Sequence, residues 1–143
     1  MRAIRRSILL PYSAPSMFDL VARVEDYPRF LPWCGASHVL EQRPDGMVVT
    51  LEIAYGGVRH AFTTENRHEP GRRIEMTLRD GPFSHLAGQW EFLALSADGC
   101  KVSFELDYAF SSPLLERVVG PVFGRVTGSL VDAFVRRADT VYG

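Results

Sequence analysis

The sequence is poor in the residues that usually announce chemistry. It has two cysteines and four histidines in 143 residues. No histidine stands at a zinc-ligand spacing from another histidine or a cysteine, which argues against a metal site. A Gly-x-Ser-x-Gly elbow and a phosphate-cradling glycine loop are both missing. So is charge of one sign: sixteen basic residues against seventeen acidic ones leave a formal net charge of −1. That gives no global pull towards nucleic acid or an anionic membrane. The opening apolar run, Ile8-Leu9-Leu10, stops at Pro11 and is too short for an export signal. No segment reads as a membrane span. Cys34 and Cys100, far apart and without an export signal, predict reduced thiols in a cytoplasmic protein. No linker, repeat or low-complexity tract divides the chain, so residues 1–143 read as one domain.

What the chain does have is regular punctuation. Pro44-Asp45-Gly46, Gly56-Gly57, Glu69-Pro70-Gly71, Asp80-Gly81-Pro82 and Ala97-Asp98-Gly99 are turn signals. Between them the residues alternate with a period of two. Met47, Val49, Leu51, Ile53 and Tyr55 alternate against Thr50 and Glu52; His60, Phe62 and Thr64 against Arg59, Thr63, Glu65 and Arg67. Ile74, Met76 and Leu78 alternate against Arg73, Glu75, Thr77 and Arg79; Val102, Phe104, Leu106, Tyr108 and Phe110 against Lys101, Ser103, Glu105 and Asp107. One wet and one dry face per strand predicts an antiparallel sheet covered on one side. A first strand over 3–10 precedes a helix opened by Ser13 or Ser16, with Met17, Leu20 and Val21 on its buried side. Tyr27-Pro28 and Leu31-Pro32 break the following stretch into short pieces.

The cover is supplied by residues 112–142. Leu115, Val119, Val122, Phe123, Val126, Leu130, Ala133, Phe134 and Val141 recur at helical spacing on one face, and Arg117, Arg125, Asp132, Arg136 and Asp139 on the other. Some 30 helical residues span about 45 Å. The class is therefore α+β: one strand, two short helices, six more antiparallel strands and a long C-terminal helix. A curved sheet gripping such a helix leaves an apolar space between them. Gly120, Gly124 and Gly128 recur every four residues in the helix and read as close backbone packing or flexibility. Pro121 predicts a kink.

Few polar residues fall on the dry side. His60 and Thr64 are candidate contacts for a ligand head group, set against ordinary local hydrogen bonding. Arg137 falls in the apolar arc between Phe134 and Val141 and needs a partner; a sheet carboxylate is the favoured one, a ligand oxygen the alternative. Tyr27, Phe30 and Trp33 cluster around the short helices as a cavity gate or as plain aromatic packing.

The element order, with Val21-x-x-Val24-x-x-Tyr27-Pro28-x-Phe30-Leu31-Pro32, Asp80-Gly81-Pro82-Phe83, Leu86-x-Gly88-x-Trp90-x-Phe92 and Ala133-Phe134-x-x-Arg137-Ala138, resembles the RatA and coenzyme Q-binding family of the START-like, helix-grip superfamily. The resemblance covers nearly the whole chain. It implies a seven-stranded curved antiparallel sheet wrapped around the last helix, and a pocket for ubiquinone or a related polyprenyl lipid. On this chain the pocket would draw on Phe30, Leu31 and Trp33 from the short-helix region. Leu51, Ile53, Phe62, Thr64, Met76, Leu78, Trp90 and Phe92 would come from the sheet, and Val119, Val122, Phe123, Val126 and Leu130 from the helix. The family carries no agreed catalytic residues.

Three functions follow for testing. The first is a non-enzymatic carrier of a hydrophobic small molecule that supports respiration, the lipid being cargo and not a cofactor. The second is a ribosome-associated toxin that blocks translation initiation; against it, Arg59, Arg67, Arg73 and Arg79 interleave with Glu52, Glu65, Glu75 and Glu105 instead of forming a basic face. The third is an aromatase or cyclase, for which His60 and Arg137 are a meagre set. Transient membrane contact is a further partner reading; DNA is not one. An empty cavity of 300 Å³ would cost about 7 kcal/mol at ~24 cal/mol per Å³, so the helix is expected to settle inward unless a lipid is retained.

Overall fold

The computed structural model describes residues 1–143. Seven antiparallel strands form one sheet in the order β1-β7-β6-β5-β4-β3-β2. Their bounds are β1 Arg2–Leu10, β2 Cys34–Arg43, β3 Gly46–Tyr55, β4 Val58–Glu69, β5 Arg73–Asp80, β6 Phe83–Ser96 and β7 Gly99–Phe110. Strands β2 to β7 form a meander through the turns that the Gly and Pro pairs mark. Strand β1 pairs with β7, so the chain must cross from one sheet edge to the other before β2 begins. The crossing is made by α1 (Ala14–Ala22), a single 3₁₀ turn (Val24–Asp26) and α2 (Tyr27–Phe30). Ser13 caps α1, its hydroxyl accepting from the Ser16 amide at 3.2 Å, and Met17, Leu20 and Val21 are buried as the spacing predicts.

Helix α3 runs from Pro113 to Tyr142, 30 residues, across the concave face. Ser112 caps it by accepting from the Leu115 amide at 3.1 Å, and Pro113 occupies the first turn, where a missing N–H costs nothing. Pro121 does not end the helix. Arg6 of β1 binds its middle, donating to the Gly128 carbonyl at 3.1 Å and the Asp132 carboxylate at 3.2 Å. Tyr142 donates to the Ser16 carbonyl at 2.8 Å and Tyr12 to the Asp139 carboxylate, which fastens its C-terminal end to the β1–α1 connection.

Two sequence expectations need correction. Helix α3 is in fact long and apolar enough to cross a membrane. It is nonetheless the core helix: Val119, Phe123, Val126, Val131, Phe134 and Ala138 are all buried against the sheet and α1. The glycines of α3 do not mark close packing either. A Cβ placed on Gly124 or Gly128 would touch nothing within 4 Å, and one on Gly120 would make only an ordinary contact with Phe110 at 3.6 Å.

The Asp80-Gly81-Pro82-Phe83 segment has a steric basis. Gly81 has φ +148°, and a Cβ there would lie 2.7 Å from the Phe62 Cβ, so only glycine fits. The turn delivers Phe83 into an aromatic cluster with Phe110, Phe123 and Phe62, at ring separations of 5.0, 4.9 and 5.9 Å. This cluster seals one end of the sheet–helix interface. Bulges in the β2–β3 and β6–β7 pairings bend the sheet around α3. On the convex face the charges do interleave: Arg59 pairs with Glu52 at 3.1 Å, and Arg73 with Glu75 at 3.2 Å.

Candidate functional site

Between the middle of α3 and strands β3 to β7 lies a cavity of about 80 Å³, lined by 18 residues of which 15 are hydrophobic. Val49 and Leu51 of β3 and Phe62 of β4 form one wall; Trp90, Phe104 and Leu106 of β6 and β7 form another. Phe123, Val126, Leu130 and Phe134 close it from the helix, and Tyr27 and Trp33 from the crossing segment. The alternation of the strands and the 3.6-residue period of α3 aim the sheet and helix residues at one space.

Polar groups in the lining are few and mostly satisfied. Thr64 donates to the Asn66 side-chain oxygen at 2.7 Å, and Thr127 to the Phe123 carbonyl at 2.9 Å. Tyr27 is the one lining residue that can lose a proton. Its hydroxyl donates to the Val21 carbonyl, and burial pushes its pKa far above the usual phenol range. Trp33 is different: its indole nitrogen is buried and has no hydrogen-bond partner. Beside it, burial raises the Cys34 thiol to about 11, only partly opposed by a hydrogen bond to the Ala36 carbonyl, and the Glu52 carboxylate raises it further. At neutral pH it stays a thiol and is no nucleophile.

Trp33 and Val126 also line a second space, an open cleft of about 500 Å³. Its other residues are Pro32, Tyr55, Arg125, Gly128, Ser129, Ala133 and Arg136. The indole and the valine thus form a shared wall, with the apolar cavity on one side and the cleft on the other.

The sequence-derived residues divide cleanly. Trp33, Leu51, Phe62, Thr64, Met76, Trp90, Phe123, Val126 and Leu130 meet at the cavity. Leu31, Ile53, Phe92 and Val119 are buried in the surrounding core, and Phe30, Leu78 and Val122 are half-buried against its margin. The reason is positional. Alternation assigns a residue to the dry face, but α1 and the helix ends fill that face directly; Phe92, for example, packs on Phe18 of α1 at 5.7 Å. Val49, Asn66, Phe104 and Leu106 also line the cavity. They lie on dry faces already read from the pattern, and Asn66 continues the Phe62, Thr64 series. Leu86, Thr127 and Phe134 complete the sheet and helix sides. Val24 and Tyr27 sit in turns too short to show a period. His60 is half-buried and lies outside the cavity.

Arg137 corrects a further expectation. It makes no ion pair with a sheet carboxylate. Its guanidinium lies over the Phe30 ring, 5.1 Å from the centroid, and its Nε is buried without a partner. The space opposite it is occupied by α2, which carries an aromatic ring there instead of an acid.

The family model for polyketide cyclase/dehydrase and lipid transport matches residues 10–135. A Pseudomonas aeruginosa protein named ribosome association toxin RatA is 46% identical over 98% of this chain and 97% of its own length. The Xenopus laevis mitochondrial coenzyme Q-binding protein COQ10 homolog B is 30% identical over 96% of this chain and 58% of its own. Among solved structures, the ZhuI aromatase/cyclase of Streptomyces sp. R1128 superposes with a TM-score of 0.84 over 96% of this chain and 93% of that one, at 18% identity. At that identity the likeness concerns the fold.

Proposed function

The chain belongs to the START-like polyketide cyclase/dehydrase and lipid transport family, within the group of RatA and coenzyme Q-binding relatives, and we propose that it is a non-enzymatic cytoplasmic carrier of a hydrophobic ligand, ubiquinone or a related polyprenyl lipid. The observation that carries this reading is the cavity itself: fifteen of its eighteen lining residues are hydrophobic, and Tyr27, its one acid, is held by a backbone carbonyl. Acyl transfer, cyclisation and dehydration all need a positioned acid or base, and the lining offers none that is free. Binding needs only apolar area, about 0.8 kcal/mol per buried methylene. Movement of Trp33 would free its buried, unpartnered indole N–H to donate to a ligand carbonyl.

In this form the cavity is small. An apolar cavity of about 150 Å³ takes up benzene, and 80 Å³ is too small for a substituted quinone ring. At ~24 cal/mol per Å³ the residual void costs about 2 kcal/mol, which the fold tolerates. Uptake therefore requires Trp33 or α3 to move, joining the cavity to the cleft. Titration of the purified protein with a short-chain ubiquinone tests the reading, because Trp33 and Trp90 both line the cavity. Saturable quenching of tryptophan fluorescence supports it; a flat signal together with no retained lipid rules it out.

A second reading has its own support. The 46% identical relative is named for ribosome association, and on the outer side of α3 the guanidiniums of Arg117, Arg125 and Arg136 pair with no carboxylate, unlike those of Arg5, Arg6, Arg43, Arg59 and Arg73. Cosedimentation with ribosomal subunits at rising salt checks it: binding that weakens steeply with salt supports phosphate contacts, and none at low salt dismisses them.

A further inference from the structure

The carrier reading leaves one feature without a role, the charged cleft beyond the shared wall. We propose that this cleft seats an acidic head group, so that the ligand is an anionic amphiphile: a carboxylate or phosphate that pairs with Arg125 or Arg136, with its apolar chain entering the cavity once Trp33 and Val126 part. The assignment rests on the carrier reading, and among polyprenyl and related lipids it selects an acidic one over ubiquinone, whose head group is neutral.

Arg125 and Arg136 are eleven residues apart, close to three helical turns, which puts both on one face of α3 about 16 Å apart along its axis. Both line the cleft. Neither is in an ion pair, although most arginines of the sheet are. Asp132 lies on the same side of the helix, but it is taken by Arg6 at 3.2 Å. The cleft thus keeps a net positive charge that the chain does not neutralise. Pro32, Val126 and Ala133 are apolar parts of its lining, and Trp33 and Val126 line the cavity as well. Trp33 itself is only 6% exposed, and its indole nitrogen is buried without an acceptor. Two guanidiniums without a carboxylate partner on the cleft, and an apolar cavity behind the shared wall of Trp33 and Val126, match a molecule with acidic oxygens at one end and hydrocarbon at the other.

Calorimetric titration with oleate and with oleyl alcohol, which share a chain and differ in charge, tests the assignment. The wild-type protein is expected to bind oleate at least about tenfold more tightly, as for hydrogen bonds to a charged group, and to lose that preference at high salt. The R125Q/R136Q double variant should bind the two probes alike, while R117Q, on α3 outside the cleft, should keep the preference. Both arginines are exposed, so folding is expected to survive, and the wild-type salt series is an independent reading that needs no variant. Equal wild-type affinities, or a preference that persists in the double variant, would overturn the charged seat and leave the carrier reading intact. Failure to bind either probe, in protein that still binds a short-chain ubiquinone, would overturn the charged seat; failure to bind the quinone as well would overturn the carrier reading itself. Displacement of oleate by a short RNA at equal concentration would assign the cleft to a polyanion instead and overturn the amphiphile.

Discussion

The guanidinium of Arg137 sits 5.1 Å above the Phe30 ring, and its Nε hydrogen is buried without an acceptor. The two effects oppose each other. A cation over a ring contributes about 0.5–2 kcal/mol, and an unsatisfied buried donor costs about 1–3 kcal/mol. Methionine keeps much of the apolar stem and removes both effects. Arg137→Met is therefore expected to change the apo stability by less than about 1 kcal/mol and to leave ligand affinity unchanged, since Arg137 lies outside the cavity lining. Denaturant melts with and without ligand check this. A loss above about 3 kcal/mol would restore the ionic partner that the geometry lacks.

Val126 is 5% exposed and shared by the cavity and the cleft. Val126→Glu buries a carboxylate without a partner and is expected to cost several kcal/mol, roughly 3 or more, and to abolish lipid binding. Arg117→Glu, exposed on the same helix, should do neither. Equal melting temperatures for the two variants would mean that the inward face of α3 is misassigned.

Gly124 and Gly128 have empty space where a side chain would go. Alanine at either position should stabilise the protein by about 0.5–1 kcal/mol through helix propensity and a less flexible unfolded chain. The same stiffening should slow ligand uptake if α3 bends to admit it. Stopped-flow quinone uptake beside thermal melts separates the effects: a raised melting temperature with unaltered uptake would place the opening at Trp33 alone.

Tyr27 donates to the Val21 carbonyl, and its folded pKa is raised above the usual 10.0, first by burial. In the unfolded chain the phenol ionises near pH 10, while in the native state it stays protonated. The unfolded state then binds fewer protons, so stability falls as pH rises above 10 towards the folded pKa. Tyr27→Phe should lower stability by about 1–3 kcal/mol at pH 7, where the Val21 carbonyl is left unpaired, and should flatten the decline above pH 10. A decline as steep as that of the wild type would assign the alkaline sensitivity to another tyrosine.

Legibility differed between the sheet, the helix and the crossing segment. Period-two alternation put Leu51, Phe62 and Phe104 on the dry face because a strand has only two sides. The 3.6-residue period did the same for Phe123, Val126 and Leu130. Neither period says where along a face the space lies, and so Ile53 and Val119, apolar and inward, are core residues beside the cavity. Tyr27 belongs to a helix of four residues, too short for any period. The partner of Arg137 depends on what α2 places opposite it, a tertiary fact that no local pattern contains. The shared wall of Trp33 and Val126 joins residues 93 positions apart and could be seen only once the chain was folded.

Native mass spectrometry of freshly purified protein, followed by organic extraction, tests the central claim most directly. A carrier with this cavity is expected to show an added mass equal to one lipid per chain, or to gain one on incubation with a polyprenyl quinone or an acidic amphiphile, and Val126→Glu is expected to lose it. Protein that stays at its bare mass under both conditions, with the same fold by circular dichroism, would contradict the account.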